Sequence, residues 1–398
     1  MNRKKVENHF LEKKEHTKIK HRIFENTLRS SISIANMQLL RGTEPKNKKF
    51  IYVDLFAGAG EFDSGEKGSI LLAIDVIQDH IIISKDSKVP NIFEKFSIIA
   101  IEKDDEAFAK LDSSIKNLKE MNPISNIEIN LLKGDWEIYQ KDLERELKNF
   151  DWGFIFVDPF STELDILKLK ELLKSKYYTK MKDILIFFNL QALRREKGKM
   201  IDSSKQRLEK TVGLSWEEIE KNQDLSDTVR NGIAKNFSGI KDFAVGVSYP
   251  VEVKDKLYTI DYFYLILLTN SAALVNKFLE GYEKIVKEYY NFSFKGLFDE
   301  DYYLPNSDMN LLKYWEEKIE RFLSWKILRE RGYTEVPTIE NLVKRLNNYR
   351  KLGKLDFECD NKYKYKKNVK GNNAEIGDLK HNEIKSKEDL KSIIIRLK

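Results

Sequence analysis

Asp54, Gly58 and Gly60 sit in YVDLFAGAGEF (Tyr52 to Phe62), where an apolar run ends on a carboxylate and opens at once into a Gly-x-Gly turn. Such a turn after the first strand of an α/β unit brings backbone close to a ligand. A dinucleotide calls for G-x-G-x-x-G. Here the glycines after Gly58 and Gly60 resume only at Gly65, so the third is misplaced. A carboxylate four residues before Gly58 also repels a pyrophosphate. S-adenosylmethionine (SAM) instead carries an ammonium group on its amino-acid end, which a carboxylate accepts. The D-x-F-x-G-x-G pattern of Asp54, Phe56, Gly58 and Gly60 therefore favours SAM over NAD.

Two later acids share that logic. SIIAIEKD ends its apolar run at Glu102, where a carboxylate can receive both ribose hydroxyls; a solvent-facing charge is the plainer alternative. LKGDW places Asp135 to accept from an adenine amino group and Trp136 to border the ring; a helix N-cap is the alternative for Asp135. Asp54, Glu102 and Asp135 all fall at strand C-terminal ends, where open α/β sheets bind ligands. FIFVDPFS then gives Asp158, Pro159 and Phe160. A carboxylate and a proline carbonyl at such a place accept from an exocyclic amine and aim its lone pair, while an aromatic ring stacks on the base. The position resembles in part the D/N-P-P-Y/F motif of amino-methylating enzymes, from which those roles are taken; here Phe160 stands at the second proline and Ser161 at the aromatic. A turn or cap before Leu164 is the alternative for Asp158.

These residues need strands to present them. KFIYVDLF, KFSIIAIEKD, IEINLLKGD, WGFIFVDPF and KDILIFFNL read as five strands separated by helical patterns, which predicts a Rossmann-like α/β fold: a parallel sheet covered by helices on both faces. DFAVGVSYPVEV and KLYTIDYFYLILLT, joined through VKDK, predict an antiparallel hairpin added at one edge. Residues Gln191 to Asn236 are polar, with helical patches, and read as a helical insertion that could cap the substrate side. The expected organisation is a basic helical segment over 1–49, a SAM-binding domain over 50–270 with its insertion at 191–236, a helical, winged-helix-like domain over 271–370 and a weakly ordered basic tail over 371–398. In the third part, Pro337 and Thr338 predict a helix start with Glu340 in its first turn. KLDFEC and KYKYKK predict the two strands of a wing.

The chain has 398 residues and 41% hydrophobic content, enough for a sizeable core, and no run of about 18 apolar residues. Its charged N-terminus and single cysteine, Cys359, exclude a disulfide within the chain and point to a cytoplasmic protein. Net charge is +6. Residues 1–49 carry 13 Lys/Arg against 5 Asp/Glu and residues 344–398 carry 16 against 8, so two basic ends flank an acidic body. Basic ends suit nucleic-acid phosphate as well as a solvated surface. His16 and His21, beside Lys18 and Lys20 in the first helix, read as exposed helix charges, with phosphate contact as the alternative.

Together, EHTKIKHRIFENTL, YVDLFAGAGEF, GSILLA, Glu102 and FVDPFS resemble the three-Cys-motif partner proteins, which are class I SAM-dependent methyltransferase-like. The resemblance covers roughly residues 15–269. The chain has Ile70 where that family usually has proline and Ser161 where it usually has glycine. More distantly, DLFAGAG and the D-P pair are similar to ribosomal RNA adenine-N6 methyltransferases. The resemblance implies that Asp54, Gly58 and Gly60 meet the methionine end of SAM, Glu102 the ribose, Asp135 the adenine and Asp158 the acceptor amine. The expected function is methylation of a nucleic-acid amine, adenine N6 foremost. The alternative is a SAM-binding subunit that positions or regulates a three-cysteine, radical-SAM-like partner.

Overall fold

The computed structural model describes residues 15–42, 47–86, 89–121, 126–159, 162, 164–174, 181–222, 224–253, 256–290, 305, 307–321, 337–365 and 377–398. They divide into two compact units, 1–270 and 271–398.

The first unit is built on a seven-stranded sheet: β1 (Lys49–Asp54), β2 (Lys95–Glu102), β3 (Ile127–Lys133), β4 (Trp152–Val157), β5 (Lys182–Asn189), β6 (Phe243–Val253) and β7 (Lys256–Thr269). Their order is β3-β2-β1-β4-β5-β7-β6. β1 to β5 are parallel, and β7 runs antiparallel to both β5 and β6. This is a mostly parallel, Rossmann-like sheet. The hairpin expected at one edge is present, but its second strand lies inside the sheet and its first forms the edge. The reason is burial. Leu265, Ile266, Leu267 and Leu268 are consecutive and fully buried, so β7 is covered on both faces and needs a neighbour along each edge.

Alternate residues of β1 and β4 serve opposite faces, as a pleated strand requires. Ile51, Val53, Ile155 and Val157 enter a core with Leu143, Leu147, Ile166 and Leu169. These leucines and Ile166 come from α4 (Gln140–Lys148) and α5 (Ile166–Leu173), which follow α2 (Ser69–Asp86) and α3 (Asp105–Met121) in the chain. Phe154 and Phe156 face the other way, onto α1 (Glu15–Leu40). There Phe24 lies 4.5 Å from the Phe156 ring centroid and 5.9 Å from that of Tyr52. Ile19, Ile23, Phe24, Leu28 and Ile32 are all buried. Residues 15–40 of the basic N-terminal segment thus pack as a helix against this face of the sheet.

Four helices fill the predicted insertion between β5 and β6: α6 (Leu190–Lys199), α7 (Asp202–Val212), α8 (Trp216–Lys221) and α9 (Leu225–Phe237). Leu193, Leu208, Val212, Ile219, Val229 and Ile233 join the same core as β1. The insertion is therefore welded to the sheet.

The second unit holds α10 (Ala272–Tyr290), β8 (Met309–Asn310), α11 (Leu311–Arg321), α12 (Ile339–Lys351), β9 (Leu355–Glu358), α13 (Lys387–Ser392) and β10 (Ile394–Leu397). α12 starts where Pro337 and Thr338 predict, with Thr338 capping through the Asn341 N–H. The expected two-strand wing is instead a three-stranded sheet in the order β8-β10-β9. KYKYKK supplies none of its strands within the described residues; Lys366 and Lys367 lie outside them. The central strand comes from the segment expected to be weakly ordered. Leu390, Ile393 and Ile395 are buried there, and Arg396 binds Glu358 and Asp308. Three consecutive β-branched isoleucines, Ile393 to Ile395, favour a strand here. No described helix is long and apolar enough to cross a membrane.

Near the start of β5, two lysines are buried. The ammonium of Lys182 donates to the Phe150 carbonyl, and that of Lys241 to the Lys182 carbonyl. Burial pulls their pKa values down to about 7 and about 8. Both folded values lie below the unfolded ones, so the unfolded chain holds protons that the folded chain lacks between about pH 7 and 10. Stability must therefore rise with pH across that window. Urea denaturation from pH 7 to 10 is expected to show a gain of a few kcal/mol, reduced to roughly half in Lys182→Met and largely removed only when Lys241→Met is added. A flat profile for the natural sequence would rule out the buried, depressed lysines.

Candidate functional site

The glycine loop is fixed by carboxylates before any ligand is considered. Asp54 is fully buried at the end of β1. It accepts from the Tyr52 hydroxyl (3.1 Å), the Phe56 N–H (3.1 Å) and the Ser69 hydroxyl (2.7 Å). Burial raises its pKa to about 7, and the bonds from Ser69, Phe56 and Tyr52 hold it from going higher. Glu102, at the end of β2, accepts from the Gly58 N–H (2.7 Å) through one oxygen and the Asp104 N–H (2.8 Å) through the other. Its pKa is raised, chiefly by burial.

Gly58 and Gly60 have φ of 64° and 76°, the left-handed region that a Cβ penalises. A Cβ on Gly60 would also stand 2.7 Å from Leu111 Cδ1. The Gly68 N–H then donates to the Gly60 carbonyl at 2.7 Å, closing the turn onto the start of α2.

A cavity of about 1030 Å³ opens over the C-terminal ends of β1 to β5. Phe56, Gly58, Gly60, Glu102, Asp135, Trp136, Asp158 and Pro159 line it. The strand order reverses between β1 and β4, so the cavity sits at the switch point of the sheet. The structure thus brings together all but two of the sequence-read residues. Asp54 lies behind the loop rather than in the cavity wall; it holds the backbone that faces the cavity. Phe160, and Ser161 after it, lie outside the described residues. Asp135 is an N-cap, accepting from the Glu137 N–H at 3.1 Å, and it also lines the cavity. Trp136 is 2% exposed and packed among Leu143, Leu147 and Phe150. Its ring is a core element rather than a free stacking face.

On the β4–β5 side, Asp158 meets Lys20 of α1, with Nζ 2.5 Å from Oδ2. The same ammonium sits 4.5 Å from the centroid of Phe187, which stacks on Phe263 at 5.0 Å. Side-chain exposure is 12% for Lys20 and 19% for Asp158. Reading Lys20 and His21 as exposed helix charges is therefore corrected: Lys20 is half-buried on Asp158, and His21 is buried at 4% exposure. The signal was present in the helical spacing, because Lys20 stands four residues before the buried Phe24. Phe187, Asn189 and the insertion's Arg195, Arg207 and Lys210, which also line the cavity, carried no local motif.

No protein-family model matches this chain, and no curated protein does. The three-Cys-motif resemblance is thus unaccompanied by a family match. Among solved structures, a Legionella pneumophila protein described under DUF519 aligns over 67% of this chain and 91% of its own, at 11% identity and a TM-score of 0.32. A human methyltransferase 10 domain containing protein aligns over 61% and 82%, at 11% identity and a TM-score of 0.24.

Gly60→Ala is expected to cost about 1–2 kcal/mol from backbone strain, plus the clash with Leu111. Adding Leu111→Ala should relieve only the clash, apart from the cost of its own truncation. Urea denaturation of the single and double variants measures both terms, and an undiminished Gly60→Ala protein would contradict the left-handed loop.

Proposed function

We propose that this chain is a class I SAM-dependent methyltransferase that acts on an exocyclic amine of nucleic acid, adenine N6 foremost. One observation carries the reading: a single cavity at the sheet's switch point has the glycine loop, Glu102 and Asp135 on one flank and Asp158–Pro159 on the other.

The cofactor flank suits SAM in three ways. Side-chain-free backbone at Gly58 and Gly60 lets a ligand lie against the loop. Both Glu102 oxygens accept backbone donors, yet a carboxylate has about four acceptor sites, so capacity remains for the two ribose hydroxyls. Asp135 uses Oδ1 for its cap, which leaves Oδ2 for the adenine amino group. Asp54 acts indirectly, by keeping the Phe56–Gly60 backbone in place and adding negative charge behind it. When bound, SAM supplies an electrophilic methyl group on a sulfonium.

The protein's own task is then to orient the acceptor. Asp158 and the Pro159 carbonyl accept the amine's hydrogens and aim its lone pair into the cavity, so positioning carries much of the rate. Lys20 holds Asp158 Oδ2, which leaves Oδ1 toward the acceptor. The Phe187–Phe263 pair offers an apolar wall to the base.

The reading predicts SAM binding by calorimetry that weakens at least tenfold in Glu102→Ala. Affinity should also fall as pH drops below about 7. A ligand ammonium favours ionised Asp54, whose folded pKa of about 7 makes it take up a proton below that pH. Pure pH independence from 6 to 8.5 would remove Asp54 from the account, and no binding at any pH would remove SAM.

Labelled methyl transfer to mixed RNA and DNA should drop at least a hundredfold in Asp158→Ala, with SAM affinity kept. Equal transfer by the two proteins would overturn the Asp158 role. The second reading, a SAM-binding subunit for a three-cysteine protein, draws on the Lys20–Asp158 pair, which already occupies one acceptor oxygen. Activity only on adding that partner would select it.

A further inference from the structure

The cavity is polarised in charge. Its β2–β3 flank presents Glu102, Asp104 and Asp135, with Lys103 beside them, and Glu137, which is paired with Lys168. Its far flank, after β5, is made by α6 and α7, whose span from Leu190 to Val212 carries seven Lys/Arg against three Asp/Glu. Of these, Arg195, Arg207 and Lys210 line the cavity. The acid on that wall, Glu196, is already taken: Lys199 sits at 2.5 Å and Arg207 at 3.0 Å, and the Ser204 hydroxyl donates at 2.7 Å. Arg195 bonds only a carbonyl of its own helix, that of Gln191 at 3.3 Å. Among the described residues, neither Arg195 nor Lys210 has an ion-pair partner. Two exposed cations therefore face the cavity without a counter-charge, on rigid helices anchored to the sheet.

SAM does not account for them in this reading: its ammonium and its carboxylate share the methionine end, which the reading places at the glycine loop after β1, and its sulfonium adds positive charge. An anionic acceptor does. We propose that the α6–α7 wall is a phosphate-binding rim, with Arg195 and Lys210 contacting backbone phosphates of a single-stranded polynucleotide whose base is turned toward Asp158. The single strand follows from burial: Asp158 is recessed at 19% exposure, and a base must leave its stack to reach such a site. Arginine suits bidentate phosphate contact and lysine a point contact. The rim makes the insertion a substrate-binding element fixed in place. This inference rests on the methyltransferase reading for the direction of the base, and on the α6–α7 cations alone for the phosphates.

The test uses the full chain and fluorescent 12-nucleotide single strands of RNA and of DNA. Anisotropy titrations from 50 to 300 mM salt are run beside SAM calorimetry. Each single-strand phosphate contact contributes about 0.7 to the slope of log affinity against log salt. Arg195→Ala with Lys210→Ala is expected to weaken oligonucleotide binding at least tenfold at 100 mM salt and to flatten the slope by about 1.4, with SAM affinity unchanged. Lys174→Ala, outside the cavity wall, should change neither. A charge-retaining Arg195→Lys, Lys210→Arg protein should recover most of the affinity, which a merely structural role would not. Duplex of the same sequence should bind more weakly than the single strand.

An unchanged affinity and slope in the double variant would overturn the rim, as would a natural protein that binds SAM but neither strand. Strand binding through Arg195 and Lys210 by a protein that fails to bind SAM would keep the rim and overturn the methyltransferase reading instead. Preference for RNA or for DNA in the titrations identifies the source of the phosphates.

Discussion

A carboxylate without solvent organises this site. Removing Asp54 from water is costly unless its oxygens are bonded, and each bond it takes fixes a different piece of chain. Tyr52 ties it to its own strand, Phe56 to the loop, and Ser69 to the start of α2. Because a buried acceptor left unmatched costs more than a bond gains, the three donors lock together. Glu102 repeats the device one strand over, holding Gly58 from the end of β2. The loop is thus preorganised from two sides, and the left-handed glycines are what allow its backbone to follow those constraints without strain.

The position of the cavity follows from the sheet. Neighbouring strands diverge in connectivity between β1 and β4, so the loops leaving them point apart and open a crevice. The acids that end β2 and β3 fall on one side of it, and everything that follows β4 and β5 falls on the other. That division separates charge as well as chain. Carboxylates gather at the ends of β2 and β3, and arginine and lysine gather where α6 and α7 close the far wall. α1 completes the crevice from the second face of the sheet, because the same helix that buries Phe24 against Phe156 carries Lys20 one turn earlier.

Local pattern made the first half of this legible. Strands, helices and the acids at strand ends follow from periodicity and from single residues, and YVDLFAGAGEF announces its turn through Asp54, Gly58 and Gly60. What escaped local reading depends on partners far away in sequence. Asp54 was read as facing a ligand, yet its strand register turns it inward toward Ser69. The place of β7 between β5 and β6 is a matter of long-range pairing, though the unbroken YFYLILL run carried the hint: a strand apolar at every position wants both faces covered. β10 was missed because a short final strand acquires meaning only beside β8 and β9. Trp136 was read as bordering the adenine ring, and nothing local says that Leu143 and Phe150 also pack around it.

The Lys20–Asp158 pair shows why such distant partners matter chemically. A charged pair at this depth is stable only if each member stays matched, since removing one partner strands the other in a poorly solvated place. In the proposed function, an acceptor amine would therefore meet Oδ1, with Lys20 still on Oδ2 and over Phe187. In that arrangement the carboxylate accepts at both oxygens and donates at neither. The incoming group must then supply hydrogens, which an amine does and a ring nitrogen lacking hydrogen does not. Under the proposed reading, the geometry around this one aspartate favours an acceptor that brings its own hydrogens.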